Sequence, residues 1–413
     1  MRSLPGAGPA PVVPPGLGFD RHQTFSLGEL GYVGVALLAA AILSFLLTPL
    51  AIRVAVRAGA IDEPDSGRRV HRKPIPRAGG LAVVAAFVIV GSVAWWYADS
   101  RGIYWNWPNA WLPGERMGVN QMLGLMGGVL VAAVFGFIDD KWQVRARWQL
   151  LEQIVLAGMA IAGGVVISVV VNPFQFLGGA TLDTTLDVGT EPVQWLVTAL
   201  WIIGMINSIN FIDGLDGLST GVSLIAALTL GVISITGIVA NVQPLVGLLC
   251  GVLAGALAGF LPWNFHPAKV FIGTTGVYAV GFALAVLSIL GTAKIAVALL
   301  VLGVPIIDTF WIILRRVSQG KSPFTPDRGH FHHRLLDMGL AHRNAVLMIY
   351  ALCGILAVAS IYISETAGAI YTFLGIVAAG GLVLYLLSRR AHEALDARSY
   401  ADDEADPSAG SAA

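Results

Sequence analysis

Long apolar runs alternate with short polar connections over most of this chain. A membrane span needs roughly 20 apolar residues, and about eleven runs meet that requirement. They lie near residues 32–52, 79–98, 119–138, 148–171, 193–212, 217–240, 243–262, 277–294, 296–314, 345–364 and 369–388. The pattern predicts an all-α, polytopic transmembrane helix bundle. Several runs are only a few residues apart, so their number is better defined than their ends. Residues 1–31 are rich in Pro and Gly and are expected to be disordered. They do not read as a secretory signal, because the next apolar run has full span length and no convincing cleavage site. Residues 389–413, rich in Ala, Asp and Glu, are expected to form a solvated tail. One membrane domain, 32–388, accounts for the remainder, without a solenoid-type repeat.

Composition agrees: 56% of the 413 residues are hydrophobic, 12% are charged, and mean hydropathy is +0.75. That excludes an ordinary soluble domain. A formal net charge of zero conceals a strong asymmetry. With the N-terminus outside and the spans alternating, all but five of the 25 Lys and Arg residues fall in cytoplasmic loops or a cytoplasmic C-terminal tail. The exceptions are Arg2, Arg21, Arg101, Arg116 and Lys294, while the external stretch 172–192 carries Asp183, Asp187 and Glu191 and no basic residue. This is the positive-inside distribution of a multi-pass plasma-membrane protein. Trp95, Trp96, Tyr104, Trp105, Trp107 and Trp111 read as an interfacial aromatic belt. Cys250 and Cys353 have no metal-binding spacing and are expected to pack in apolar spans. Nothing points to nucleic acid, and a homodimer is compatible with such a bundle.

The polar motifs gather on the side assigned to the cytoplasm. The most informative is Asn207-Ser-Ile-Asn210-Phe-Ile-Asp213-Gly-Leu-Asp216-Gly-Leu. Carboxylates at membrane depth are costly and tend to mark function. In a continuous helix these four side chains spread over about half the circumference; a break near Gly214 would draw them together. Acidic and amide oxygens beside such a break suit a hard cation and a phosphorylated substrate, whereas helix-end capping is the plainer explanation. Asp139-Asp140-Lys141-Trp142 ends the third run; adjacent acids suggest a cation or proton-transfer task, or simply a solvated helix end. His71-Arg-Lys73-Pro-Ile-Pro-Arg77-Ala-Gly-Gly reads either as a basic flank that orients a span or as a receiver for lipid phosphate. Pro262-Trp-Asn-Phe-His-Pro-Ala-Lys269-Val-Phe-Ile-Gly-Thr274-Thr-Gly is a loop that could cradle phosphate or serve only as a turn. Ser322-Pro-Phe-Thr-Pro-Asp-Arg-Gly-His330-Phe-His332-His333-Arg334 offers cations for a diphosphate, in a spacing unlike that of a zinc site. Asp308, within an apolar run, needs a partner.

Taken in order over residues 30–385, these motifs resemble the polyprenyl-phosphate N-acetylhexosamine-1-phosphate transferases, the superfamily of phospho-MurNAc-pentapeptide translocase. HRKPIPRAGG, NSINFIDGLDGL and SPFTPDRGHFHHRLLDMG look most like the branch that starts wall polymers and surface polysaccharides. The resemblance implies transfer of a HexNAc-1-phosphate, foremost GlcNAc-1-phosphate, from a UDP-sugar to undecaprenyl phosphate with Mg2+ or Mn2+. It implies Asp139, Asp140, Asp213 and Asp216 as catalytic acids, with Asp139 activating the lipid phosphate and Asp140, Asp213 and Asp216 holding metal. Asn207 and Asn210 would bind metal and nucleotide. His71, Lys73, Arg77, Lys269, His330, His332, His333 and Arg334 would bind substrate. One position departs from the pattern: Thr274 stands where the family usually has an acid, and a hydroxyl is a much poorer Mg2+ ligand. A catalytically dead scaffold is therefore one alternative. A transporter or flippase is another, disfavoured because no paired half-repeats are visible and the polar motifs avoid the midplane.

Overall fold

The computed structural model describes residues 27–63, 74–101, 118–171, 185–236, 243–291 and 331–363, with isolated positions at 298, 302–303, 306–308, 316, 320 and 375. Ten helices are ordered along these segments: α1 (Leu27–Ala58), α2 (Gly80–Arg101), α3 (Val119–Trp142), α4 (Ala146–Ala162), α5 (Glu191–Phe211), α6 (Leu218–Thr236), α7 (Pro244–Asn264), α8 (Gly273–Leu290), α9 (Phe331–Asp337) and α10 (His342–Ile363). Two small antiparallel pairs accompany them. β1 (Ile61–Asp62) pairs with β2 (Ile75–Pro76), and β3 (Val169–Val171) with β4 (Thr185–Asp187). Eight of these helices are long and apolar enough to cross a membrane, and they coincide with eight of the expected runs.

The run at 148–171 is divided. α4 stops at Ala162 after 17 residues, because Gly163 and Gly164 follow, the latter at φ +84°, and the chain then turns into β3. At 1.5 Å per residue α4 is about 26 Å long, and it runs back to the start of α3, where Gly163 lies against Asn120 and Gly124. α1 begins at Leu27, ahead of the expected start at 32. The segment 1–26, the aromatic-rich stretch 102–117, the runs 296–314 and 369–388 and the tail 389–413 lie outside the described residues, apart from the isolated positions above.

α7 and α8 form the enclosed centre. α7 packs against α1, α2 and α6, and α8 against α2, α3 and α5. The tight α1–α7 contact has a simple cause in the sequence. Gly251, Gly255 and Gly259 recur every four residues on the face of α7 turned to α1, so the backbones approach closely, whereas Gly247 meets Ser234 and Ile235 of α6. A methyl group on Gly255 would lie 2.1 Å from the Leu37 carbonyl oxygen, and one on Gly259 2.0 Å from that of Ala41. Leu38, Ile42 and Leu46 of α1, Ile89, Val93 and Trp96 of α2, and Ile355 and Val358 of α10 face outward. An apolar exterior of this kind suits lipid. Cys250 and Cys353 are buried and unpaired by disulfide, and Asp308 is buried.

Candidate active site

The last turn of α3 drives two carboxylates against the start of α8. The first N–H groups of a helix have no partner within it and favour negative charge. Asp140 supplies that charge from another helix. Its Oδ1 accepts from the Thr274 N–H (2.8 Å), and its Oδ2 from the Thr275 N–H (2.9 Å) and hydroxyl (2.6 Å). Gly273 makes the approach feasible: at φ +69° a Cβ there would sit 1.7 Å from the Arg77 carbonyl oxygen and 2.5 Å from Asp140 Oδ2. Arg77 spans two acids, with Asp62 at 3.3 Å and Asp140 at 3.7 Å. Its segment is fastened to the α8 entry by hydrogen bonds from Phe271 N to Pro76 O, Gly79 N to Phe271 O and Gly80 N to Ile272 O. Two motifs almost two hundred residues apart in order are thus laid side by side.

Asp139 is equally well supplied. Its Oδ1 accepts from the Val144 N–H (2.8 Å) and Gln149 Nε2 (2.9 Å), and its Oδ2 from the Thr274 hydroxyl (2.7 Å). A cavity of about 290 Å³ opens beside it, lined by Arg77, Asp139, Gln143, Val144 and Gln149. Gln143 ends α3 in the left-handed region, at φ 49°.

The second pair of acids lies on a break. α5 ends at Phe211, the chain turns through Asp213 to Gly217 (φ +79°), and α6 starts at Leu218, as expected for a break near Gly214. Asp213 Oδ1 accepts from the Ser219 hydroxyl at 2.5 Å. Burial pushes this carboxyl up from its ordinary 3.8 to about 7; Ser219 and Arg77 oppose the rise, and the charges of Asp140 and Asp216 add to it. Asp216 Oδ2 accepts from the Ala268 N–H (3.0 Å) and meets His266 Nδ1 at 2.7 Å. The Asp216 N–H donates to His342 Nε2 (2.9 Å), and the Tyr350 hydroxyl donates to the Gly217 carbonyl. The rings of His266 and His342 stack, with centroids 4.2 Å apart. Asn264, buried at the end of α7, accepts from the Thr220 hydroxyl and donates to the Val270 carbonyl, which shapes the loop carrying His266.

Asp213 Oδ2 and Asp216 Oδ1 accept no hydrogen bond among the described residues, although His342 Nε2 lies 4.0 Å from the latter, so each can offer an oxygen to a cation. Both oxygens of Asp140 accept hydrogen bonds, and its side chain is 0% exposed. Two carboxylate oxygens completed by water and substrate phosphate are a typical Mg2+ environment. Asp216, His266 and His342 place ligand atoms within 4.8 Å of one another, but the two imidazole nitrogens nearest Asp216 are already hydrogen-bonded.

Of the residues singled out from sequence, Arg77, Asp139, Asp140, Asp213 and Asp216 meet at one end of the bundle. Lys269 is exposed, its Nζ 5.0 Å from the Trp263 ring. Asn210 is half-buried on the last turn of α5. Asn207 instead pairs with Gln153 of α4, donating to its Oε1 at 2.7 Å. Arg334 is buried in α9. His71, Lys73 and His330 lie outside the described residues, as do the side chains of His332 and His333. Sequence reasoning passed over Thr275, Ser219, His266, His342, Gln149 and Tyr350. His266 and Thr275 stand within the Pro262–Gly276 motif without a role assigned to them there, and the others are marked only by proximity in the fold to a motif acid.

Residues 122–292 match the profile of Glycosyl transferase family 4. The probable undecaprenyl-phosphate N-acetylglucosaminyl 1-phosphate transferase of Bacillus subtilis is 35% identical over 337 residues, covering 80% of this chain and 85% of the relative. The chain belongs to the polyprenyl-phosphate N-acetylhexosamine-1-phosphate transferase family. Decaprenyl-phosphate N-acetylglucosaminephosphotransferases from Mycolicibacterium smegmatis (35% identity, 82% of this chain and 83% of the relative) and Mycobacterium tuberculosis (34%, 90% and 92%) are similar over comparable lengths. As a transferase of this family it is an enzyme by descent, which sets the transporter reading aside. α9 and α10 fall beyond the matched profile, yet α10 contributes His342 and Tyr350 to the acidic turn.

Proposed function

We propose that this protein transfers GlcNAc-1-phosphate from UDP-GlcNAc to a polyprenyl phosphate, undecaprenyl or decaprenyl, and releases UMP. This would be the first membrane step in the synthesis of a wall polymer or surface polysaccharide. One observation carries the reading: in a chain so similar to GlcNAc-1-phosphate transferases, Arg77 and the four motif acids converge at one end of an apolar bundle. There a lipid phosphate and a soluble nucleotide can meet. The positive-inside asymmetry supports eleven spans, an external N-terminus and a cytoplasmic site.

In the reaction an oxygen of the lipid phosphate forms a bond to the phosphorus next to the sugar. The bond from that phosphorus to the bridging oxygen breaks, and UMP departs with the electron pair. Asp213 and Asp216 would hold Mg2+ or Mn2+, which would neutralise the diphosphate charge. A phosphate monoester has a second pKa of about 6, so the lipid phosphate needs little help in losing its proton. Asp139 acts chiefly by fixing the wall of the cavity where that phosphate lies. Arg77 and Lys269, with His71, Lys73, His330, His332, His333 and Arg334, supply positive charge to the phosphates, and Asn210 faces the nucleotide. Asn207 serves by joining α5 to α4 through Gln153. Asp140 holds the start of α8.

Thr274 fits this assignment. Its N–H and hydroxyl are committed to Asp140 and Asp139, so the cation falls to the turn at 213–216 and catalysis does not require an acid at 274. Purified protein given UDP-GlcNAc, undecaprenyl phosphate and Mg2+ should release UMP, and Asp213→Asn should lower turnover by orders of magnitude. Near-normal turnover in that variant would remove Asp213 from the cation site.

A further inference from the structure

Asp216 is gripped from two directions by residues outside its own motif. His266, from the loop between α7 and α8, meets Oδ2 at 2.7 Å, beside the Ala268 N–H at 3.0 Å. This leaves Oδ1 without a hydrogen bond among the described residues, with His342 Nε2 4.0 Å away. From the opposite element, the first residue of α10 accepts the Asp216 N–H through His342 Nε2 at 2.9 Å. One helical stretch later the Tyr350 hydroxyl holds the next carbonyl, that of Gly217. There is no room to spare at this contact: a Cβ on Gly221 would collide with the Tyr350 ring, 2.0 Å from its Cζ. The two imidazoles lie face to face, 19° from parallel, so each ring limits the tilt of the other. A turn at a helix break with glycines at 214 and 217 cannot hold a carboxylate rigidly by itself. A partner hydrogen-bonded to a ligating carboxylate, as His266 is to Asp216, fixes which oxygen faces the ion, while His342 and Tyr350 hold the backbone beneath it.

We infer that His266 and His342 are positioning residues that lock Asp216 with Oδ1 presented to the divalent cation, making α10 part of the site. The inference rests on the reading above that Asp213 and Asp216 hold the ion. It assigns the histidines no direct contact with that ion and no proton transfer. Removing either should loosen the carboxylate and weaken cation binding without altering the surface that takes up the nucleotide.

The test is Mn2+ binding by the purified full-length protein without substrates, read from the electron paramagnetic resonance signal of free Mn2+. The Mg2+ dependence of UMP release and the KM for UDP-GlcNAc at saturating Mg2+ accompany it. His266→Ala and His342→Ala should each weaken Mn2+ binding about 10–100-fold and raise the Mg2+ requirement in parallel, with KM unchanged. His342→Gln, which keeps an acceptor for the Asp216 N–H, should recover most of the affinity, and His342→Leu should not. Tyr350→Phe should give a smaller weakening, and it keeps the test open if His342→Ala does not fold. Folded alanine variants that bind Mn2+ like the wild type would overturn the clamp while leaving the cation site standing. A wild-type protein that binds no Mn2+ at millimolar concentration would overturn the cation site, and the clamp with it.

Discussion

A carboxyl group removed from water holds its proton to higher pH than an exposed one, and Asp213 is in that position. It titrates near 7 in the folded protein against 3.8 ordinarily, chiefly because of burial. Between those values the native state keeps a proton that the unfolded chain has released. The contribution of Asp213 to the stability of the cation-free protein therefore falls as pH rises through that window. A divalent cation needs the carboxylate, so binding must expel the proton, and apparent affinity must weaken as pH drops below about 7. Calorimetry of Mn2+ binding at pH 6, in buffers of different ionisation enthalpy, should register proton release, and Asp213→Asn should abolish it. Thr274 leads to a second expectation. Its hydroxyl lies 2.7 Å from Asp139, so Thr274→Asp would press two carboxylates together. The Tm of that variant should fall without metal and recover with Mg2+ far more than the Tm of the wild type does. An Mg2+-independent Tm would show that the new acid turns away from Asp139. The four acids were legible in sequence because charge in an apolar context is conspicuous. His266 and His342 were not, because their roles depend on a turn, a loop and α10 meeting in space.

At the scale of elements, the helices read clearly because an apolar run of span length has few other interpretations. The run at 148–171 shows where hydropathy blurs an end: the helix stops at Ala162 before Gly163-Gly164, and the β-branched residues that follow lead into a strand. The helix break at 213–217 was foreseen from its glycines. Other features were present as spacing but silent about partners. Gly251, Gly255 and Gly259 of α7 announce a close helix contact, yet nothing in their spacing says that α1 is the helix received. Gly259→Val should force α1 away from α7, since even a methyl group would lie 2.0 Å from the Ala41 carbonyl oxygen. Loss of a monodisperse peak in fluorescence-detected size-exclusion chromatography would report it. Gly158→Ala is the control: no atom lies within 4 Å of a Cβ there, and helix propensity favours it by up to about 1 kcal/mol. A Gly259→Val protein as stable as wild type would mean that this contact contributes little to the fold.

For the molecule as a whole, sidedness connects fold to chemistry. Lys141 and Lys269 are exposed near the gathered acids, and the only cysteines, Cys250 and Cys353, are buried. Cysteines placed at 141 and 269 should resist an impermeant thiol reagent in intact cells and react once the membrane is opened. Labelling from outside would invert the topology and separate the site from its nucleotide. The reaction itself is tested most directly by the fate of one phosphate. UDP-GlcNAc radiolabelled at the phosphate bonded to the sugar is incubated with purified protein, undecaprenyl phosphate and Mg2+, and the organic and aqueous phases are separated. The label should enter the organic phase as lipid diphosphate-sugar, leaving unlabelled UMP in water. Label retained in released UDP, or no transfer at any Mg2+ or Mn2+ concentration, would contradict phosphosugar transfer by this protein.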